Sequence, residues 1–249
     1  MQEGDEHIRT LAPRERKLVT SAVLPGIAVI LLWCVYFVDQ QLGMDLYRFG
    51  TFPREPSGIL GVVTSPFIHG DFEHLLNNSV PLFVLGWALM YFFPRLAGRV
   101  VLASWLVSGV WVWLSARASY HIGASGVVYG LAAFLFTNGL LRRQRTLMGL
   151  SLLVVFLYGS MLWGVFPIVP RISWESHFWG AATGVAMAFL YRHVPSAVQD
   201  PRPIVWDDED EDQGNEDDGP TDTPPGAEDD EQGAGLWRST DTWSIGPSK

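Results

Sequence analysis

Cysteine is almost absent from this 249-residue chain, in which Cys34 stands alone inside an apolar run. A single cysteine cannot form an intrachain disulfide, so packing and hydrogen bonds must hold the fold, and no redox compartment can be inferred. A basic stripe is also missing. The formal net charge is −9, and nothing in the pattern offers Lys and Arg to track a phosphate backbone, so no nucleic-acid partner is expected. There is no glycine loop of the kind that cradles phosphates. No His, Cys, Asp or Glu spacing suits a metal. Asp71 and Glu73, the acids nearest His74, would not focus with His177 on one ion by helical periodicity. Zinc and di-aspartyl chemistry are disfavoured, and no cofactor is expected.

Charge is missing altogether from six long stretches: Leu18–Val38, His74–Pro94, Val100–Ala116, Ala118–Leu141, Thr146–Pro170 and Ser176–Tyr191. The first spans 21 residues, enough for a helix to cross a hydrocarbon core of about 30 Å. A signal peptide would end at a small-residue cleavage site, whereas Asp39-Gln40-Gln41 follows here. Backbone in lipid must form helices or a closed barrel, and the runs lack the alternation of barrel strands. The expected fold is therefore an all-α polytopic membrane protein with six transmembrane helices.

Three segments follow: a cytoplasmic N-terminal piece at 1–17, a membrane domain at 18–194, and an acidic cytoplasmic tail at 195–249. From Asp200 onward there are 16 acidic and 3 basic residues; the remaining 199 residues carry 10 acidic and 14 basic. Such a tail cannot bury enough apolar surface to offset its ordering entropy, so disorder is expected there. With six spans, ten Lys and Arg fall on the side of the termini. Only Arg48, Arg54, Arg117 and Arg171 fall opposite. That bias puts both termini in the cytoplasm of, by expectation, a prokaryotic plasma membrane. The long connection from Asp39 to Glu73 then faces outward, and its Pro53, Pro56 and Pro66 suit a structured interfacial element.

Polar residues inside apolar runs are costly and usually face a cavity or one another. Three clusters stand out: His74 with Asn78, Ser125 within Gly123-Ala-Ser-Gly-Val-Val-Tyr-Gly130, and His177 with Gly180 and Gly184. Each lies near the start of a run, and the three runs share one direction, so the clusters fall at similar depth on the same side. His74 and Asn78 are four apart, as are Ser125 and Tyr129, and hence share a helix face. Gly126 with Gly130, and Gly180 with Gly184, are small-xxx-small pairs that let backbones approach. A serine, a histidine and side-chain donors are the components of nucleophilic acyl transfer. The aromatic ring of Tyr129 is a candidate to stack on His177. No acid within the sixth run can complete a triad, and Glu175 is poorly placed by helical spacing. His121 reads as a loop residue.

Gly123-x-Ser125-Gly126, His74-x-x-x-Asn78 and His177-x-x-Gly180-x-x-x-Gly184, on the fourth, second and sixth runs, resemble the rhomboid family of intramembrane serine proteases. The likeness covers about residues 18–194 and includes His69 ahead of His74. It departs at Leu60-Gly61, where the family often has Trp-Arg, and at Ser176, where Ala is usual. The resemblance implies an intramembrane serine endopeptidase that cleaves in or near transmembrane segments of membrane proteins embedded in the lipid bilayer. Ser125 would be the nucleophile and His177 the base. His74, Asn78 and the Ser125 amide would stabilise the oxyanion, with Gly123, Gly126, Tyr129, Gly130, Gly180 and Gly184 in support. A proteolytically inactive rhomboid-like protein that binds membrane clients is the alternative. A small transporter would need polar residues continuing into the other half of the helices, which is nearly all apolar.

Overall fold

The computed structural model describes residues 12–143, 145–157, 164–166 and 173–197. The tail from 198 onward lies outside the described residues. Six long helices follow the six apolar runs: α1 Pro13–Leu42, α2 Phe72–Phe92, α3 Ala97–Ser115, α4 Ser125–Arg142, α5 Arg145–Leu157 and α6 Trp174–Leu190. Among the described residues no strand forms; Thr51 and His121 pair as a single antiparallel bridge. Among the described residues, α1, α2 and α3 are the helices both long and apolar enough to cross a membrane. The helix α6 has 17 residues, and α4 has 18 diluted by Ser, Asn, Thr and Gly.

Helix ends depart from the charge-free runs in readable ways. α1 begins at Pro13, before the run, because proline suits a first helical turn and Glu15 accepts from the Ala12 amide at 3.1 Å. α4 begins at Ser125, although residues 118–124 are equally uncharged. There His121 exchanges both backbone hydrogen bonds with Thr51, at 2.9 and 3.0 Å, and Gly123 sits at φ +105°. That conformation interrupts any helix and strongly favours glycine. α3 carries a π-helical stretch at Ala103–Val107, which rotates its last turns relative to its first.

The most extensive helix pair is α4 with α6. A Cβ on Gly180 would overlap the carbonyl oxygen of Gly126, and one on Gly184 would overlap that of Gly130. The two backbones are thus in direct contact. Among helices in lipid, association rests on such close packing rather than on apolar transfer from water. Gly130 also admits the Ser104 side chain from the π-helical stretch. Below this seam lies the apolar core of Leu85, Leu89, Phe93, Leu131, Phe134 and Leu135. Its Phe93 and Phe134 rings meet edge to face, with centroids 5.4 Å apart.

The connection between α1 and α2 is structured. It consists of short helical turns, Leu46–Phe49, Pro56–Ile59, Gly61–Thr64 and Ser65–Phe67. It is pinned to α3 where the Trp113 indole donates to Glu55 O at 2.9 Å and that of Trp105 donates to Val62 O at 3.1 Å. Its Ser65 carbonyl accepts from the Gly123 amide at 2.9 Å. An interfacial loop therefore helps hold the turn that precedes Ser125.

Candidate active site

Ser125 is the first residue of α4, so its amide belongs to the first helical turn, whose N–H groups lack intrahelical partners. The positive end of the helix dipole lies there too. Ser125 is half-buried, whereas His177, four residues into α6, is buried. The backbone contact of Gly126 with Gly180 brings the two helices together, and Ser125 Oγ lies 2.8 Å from His177 Nε2. On its other side His177 Nδ1 lies 2.8 Å from the carbonyl oxygen of Gly164. A carbonyl can only accept, so Nδ1 must carry the hydrogen. In the neutral ring Nε2 then holds a lone pair and accepts from the Ser125 hydroxyl. Tyr129, one turn beyond Ser125, stacks on the imidazole at 4.1 Å with 10° between the planes.

α2 carries His74 and Asn78. Asp71 caps this helix by accepting from the His74 amide at 2.7 Å, which fixes where the His74 side chain begins. Asn78 donates to His74 O at 2.9 Å, and its side chain is buried. Both point at the turn before the serine. A Cβ on Gly123 would come within 2.5 Å of His74 Nε2 and 3.6 Å of Asn78 Nδ2. Glycine there serves twice: it adopts the positive φ and it leaves room for the side chains of His74 and Asn78. His69, ahead of α2, packs edge-on against His74 with centroids 5.0 Å apart and accepts from the Ala124 amide at 3.5 Å. Burial and the neighbouring His74 hold its imidazole down at about 3, so it remains uncharged at neutral pH.

The structure therefore brings Ser125, His177, His74, Asn78, Gly123 and Tyr129 to one place, with Gly126, Gly130, Gly180 and Gly184 forming the seam that allows it. Beside Gly123 and Gly126 lies a small cavity, lined among others by Thr51, Ser65, Trp105, Ser108 and Ser176.

Sequence reasoning missed other participants. The Gly164 carbonyl has no side-chain signature. His121 lies in a loop, as read, but is buried and hydrogen-bonded on both ring nitrogens, to Ser173 Oγ and Arg117 O. Glu175 is buried and pairs with Arg117 at 3.5 Å. The only available signal was an uncompensated acid at the edge of an apolar run.

Fold and site together define a helical integral membrane protein with a serine–histidine pair seated where two helices touch. A model of the Rhomboid domain matches residues 56–194, more than half the chain, and the chain belongs to the rhomboid family. An uncharacterised protein of Mycobacterium tuberculosis (strain ATCC 25618 / H37Rv), Rv1337, is 37% identical over 176 residues, covering 65% of this chain and 71% of that protein. The uncharacterised ML1171 of Mycobacterium leprae (strain TN) is 34% identical over 175 residues, covering 64% and 67%. YdcA of Bacillus subtilis (strain 168), provisionally named a rhomboid protease, is 27% identical over 140 residues, covering 52% of this chain and 65% of its own.

Proposed function

We propose that this chain is an intramembrane serine endopeptidase that cleaves peptide bonds in or near transmembrane segments of other membrane proteins. The observation that carries the reading is the 2.8 Å approach of Ser125 Oγ to His177 Nε2, with His177 Nδ1 occupied by a carbonyl. In the reaction, Ser125 Oγ attacks the scissile carbonyl while its proton passes to His177 Nε2. The negative charge that develops on the carbonyl oxygen is met by His74, Asn78 and first-turn amides of α4. Removing one such donor typically lowers the rate by about 10²–10³. His177 then gives its proton to the leaving amine, and the C–N bond breaks to leave an acyl-serine. Water, deprotonated by the same nitrogen, releases the second product and restores the hydroxyl.

The six helices would form six spans with both termini cytoplasmic, so that the site at the start of α2, α4 and α6 opens to the outer side of a prokaryotic plasma membrane. The narrow cavity beside Gly123 favours a small side chain at the cleavage point, in a substrate helix that unwinds locally. The test is cleavage of a purified single-span substrate in liposomes. Wild type should cut it and Ser125→Ala should not; unimpaired cutting by Ser125→Ala would overturn the mechanism. A client-binding protein without catalysis would show no turnover even in the wild type.

A further inference from the structure

The seam of glycines lies on one side of the Ser125–His177 pair, and a second set of contacts lies on the other. Here residues 116–124, which lead into Ser125, meet residues 173–176, which lead into His177. The Arg117 amide donates to Glu175 Oε1 at 3.3 Å, and its guanidinium lies 3.5 Å from Glu175 Oε2. That oxygen is buried and makes no hydrogen bond among the described residues, and the Arg117 guanidinium is the positive charge beside it. His121 is held between the same two segments. Its Nε2 faces the Arg117 carbonyl at 3.1 Å, which can only accept, so Nε2 carries the hydrogen. Its Nδ1, 2.5 Å from Ser173 Oγ, then accepts from the serine hydroxyl. Ser173 Oγ in turn accepts from Ser176 Oγ at 2.7 Å. Burial keeps the His121 imidazole below its ordinary range, which favours this neutral arrangement. The hydroxyl of Ser176, next to His177, thus has a partner that an alanine there would lack.

We propose that Arg117, His121, Ser173 and Glu175 form a polar clamp that sets the distance between Ser125 and His177, as positioning residues that do not touch the substrate. The glycine seam fixes how closely α4 and α6 approach along their length. A contact between helices at one level still allows their ends to splay, and both reacting side chains sit at the ends. The clamp closes those ends. Its kinetic consequences rest on the reading of Ser125 and His177 as nucleophile and base, but its geometric claim does not. Misplacement of a reacting group by about 1 Å can lower a rate on the order of 10²-fold.

The experiment uses the full chain, labelled with ¹⁵N-histidine, in micelles. The ring nitrogens of His177 are assigned by their loss in His177→Asn. Ser125→Ala gives the position of Nε2 when its hydrogen-bond donor is gone. Ser173→Ala and Glu175→Gln, which break the clamp at independent points, should each move the His177 Nε2 resonance towards that position. Both should lower kcat roughly tenfold or more with little change in KM, and Ser173→Thr, which keeps the hydroxyl, should restore both. A His177 Nε2 resonance that stays at its wild-type position in Ser173→Ala and Glu175→Gln overturns the clamp, whatever happens to thermal stability. A shifted resonance in a protein whose wild type never cuts would uphold the clamp and remove the proposed function instead.

Discussion

α1 and the α4–α6 pair solve opposite problems with the same kind of apolar sequence. Of the 30 residues of α1, the buried ones are Ser21, Pro25 and Leu32. Ile30, Leu24 and Ile27 are more than half exposed, on a face that suits lipid. Its attachment to α2 is by side chains: Pro25 lies over Gly86, Trp33 Nε1 donates to Ser79 Oγ at 3.1 Å, and Trp87 Nε1 donates to Leu18 O at 2.9 Å. α4 buries ten residues in 18 and meets α6 backbone to backbone. The most apolar of the three candidate spans among the described residues is therefore the one least buried inside the protein. Around Ser125 and His177, small and polar residues dilute hydropathy, because close approach and hydrogen bonding require them.

Substitutions that add one methyl group should separate the two regions most sharply. Gly180→Ala puts a Cβ into the Gly126 carbonyl oxygen, which cannot yield without parting α4 from α6. We expect turnover to fall by about 10²-fold or more, measured on protein that remains folded by size exclusion. Gly86→Ala, at the attachment of α1, brings its Cβ to 3.2 Å from Pro25. A shift of a few tenths of an ångström relieves that contact, so a loss within about 1 kcal/mol and near wild-type turnover are expected. If the two alanines behaved alike, the distinction between backbone and side-chain seams would fail.

Acid should act on the site region before it acts on α1. The folded imidazole of His69 sits at about 3, below the ordinary value of 6.5. Folding thus favours the neutral ring. Its contribution is complete above about pH 6.5 and is lost progressively as pH falls towards 3. The groups that act electrostatically on this ring are His74 and Asp71. Thermal stability should therefore fall between pH 7 and pH 4, with a shallower fall in His69→Gln. An equal slope in the two proteins would count against this account of the buried ring. The smallest effect expected is at Ile30→Ala, on the exposed face of α1: within about 0.5 kcal/mol by denaturant titration, with turnover unchanged.

Much of this comparison was legible in the sequence. The charge-free runs marked the six helices, and the shared direction of the second, fourth and sixth placed His74, Ser125 and His177 at one end. The four-residue spacing of Gly180 and Gly184 indicated a close helix contact. The start of α4 was not legible, because residues 118–124 are as uncharged as the helix. The break comes from pairing with Thr51, which lies 70 positions earlier than His121, and from the φ of Gly123. Arg117, His121, Ser173 and Glu175 escaped for a related reason. Each looks like an ordinary loop or boundary residue until two segments more than fifty positions apart are brought side by side.

The carbonyl of Gly164 has a consequence for anyone who maps this protein by mutagenesis. It is the group that orients His177, yet it belongs to the main chain, and every one of the twenty amino acids carries it. On the proposed mechanism a saturation screen would recover Ser125 and His177 as indispensable and would leave that oxygen without a genetic address. Only chemistry that edits the backbone, such as an ester in place of the Gly164–Val165 amide, can weaken it as an acceptor while sparing both side chains of the pair.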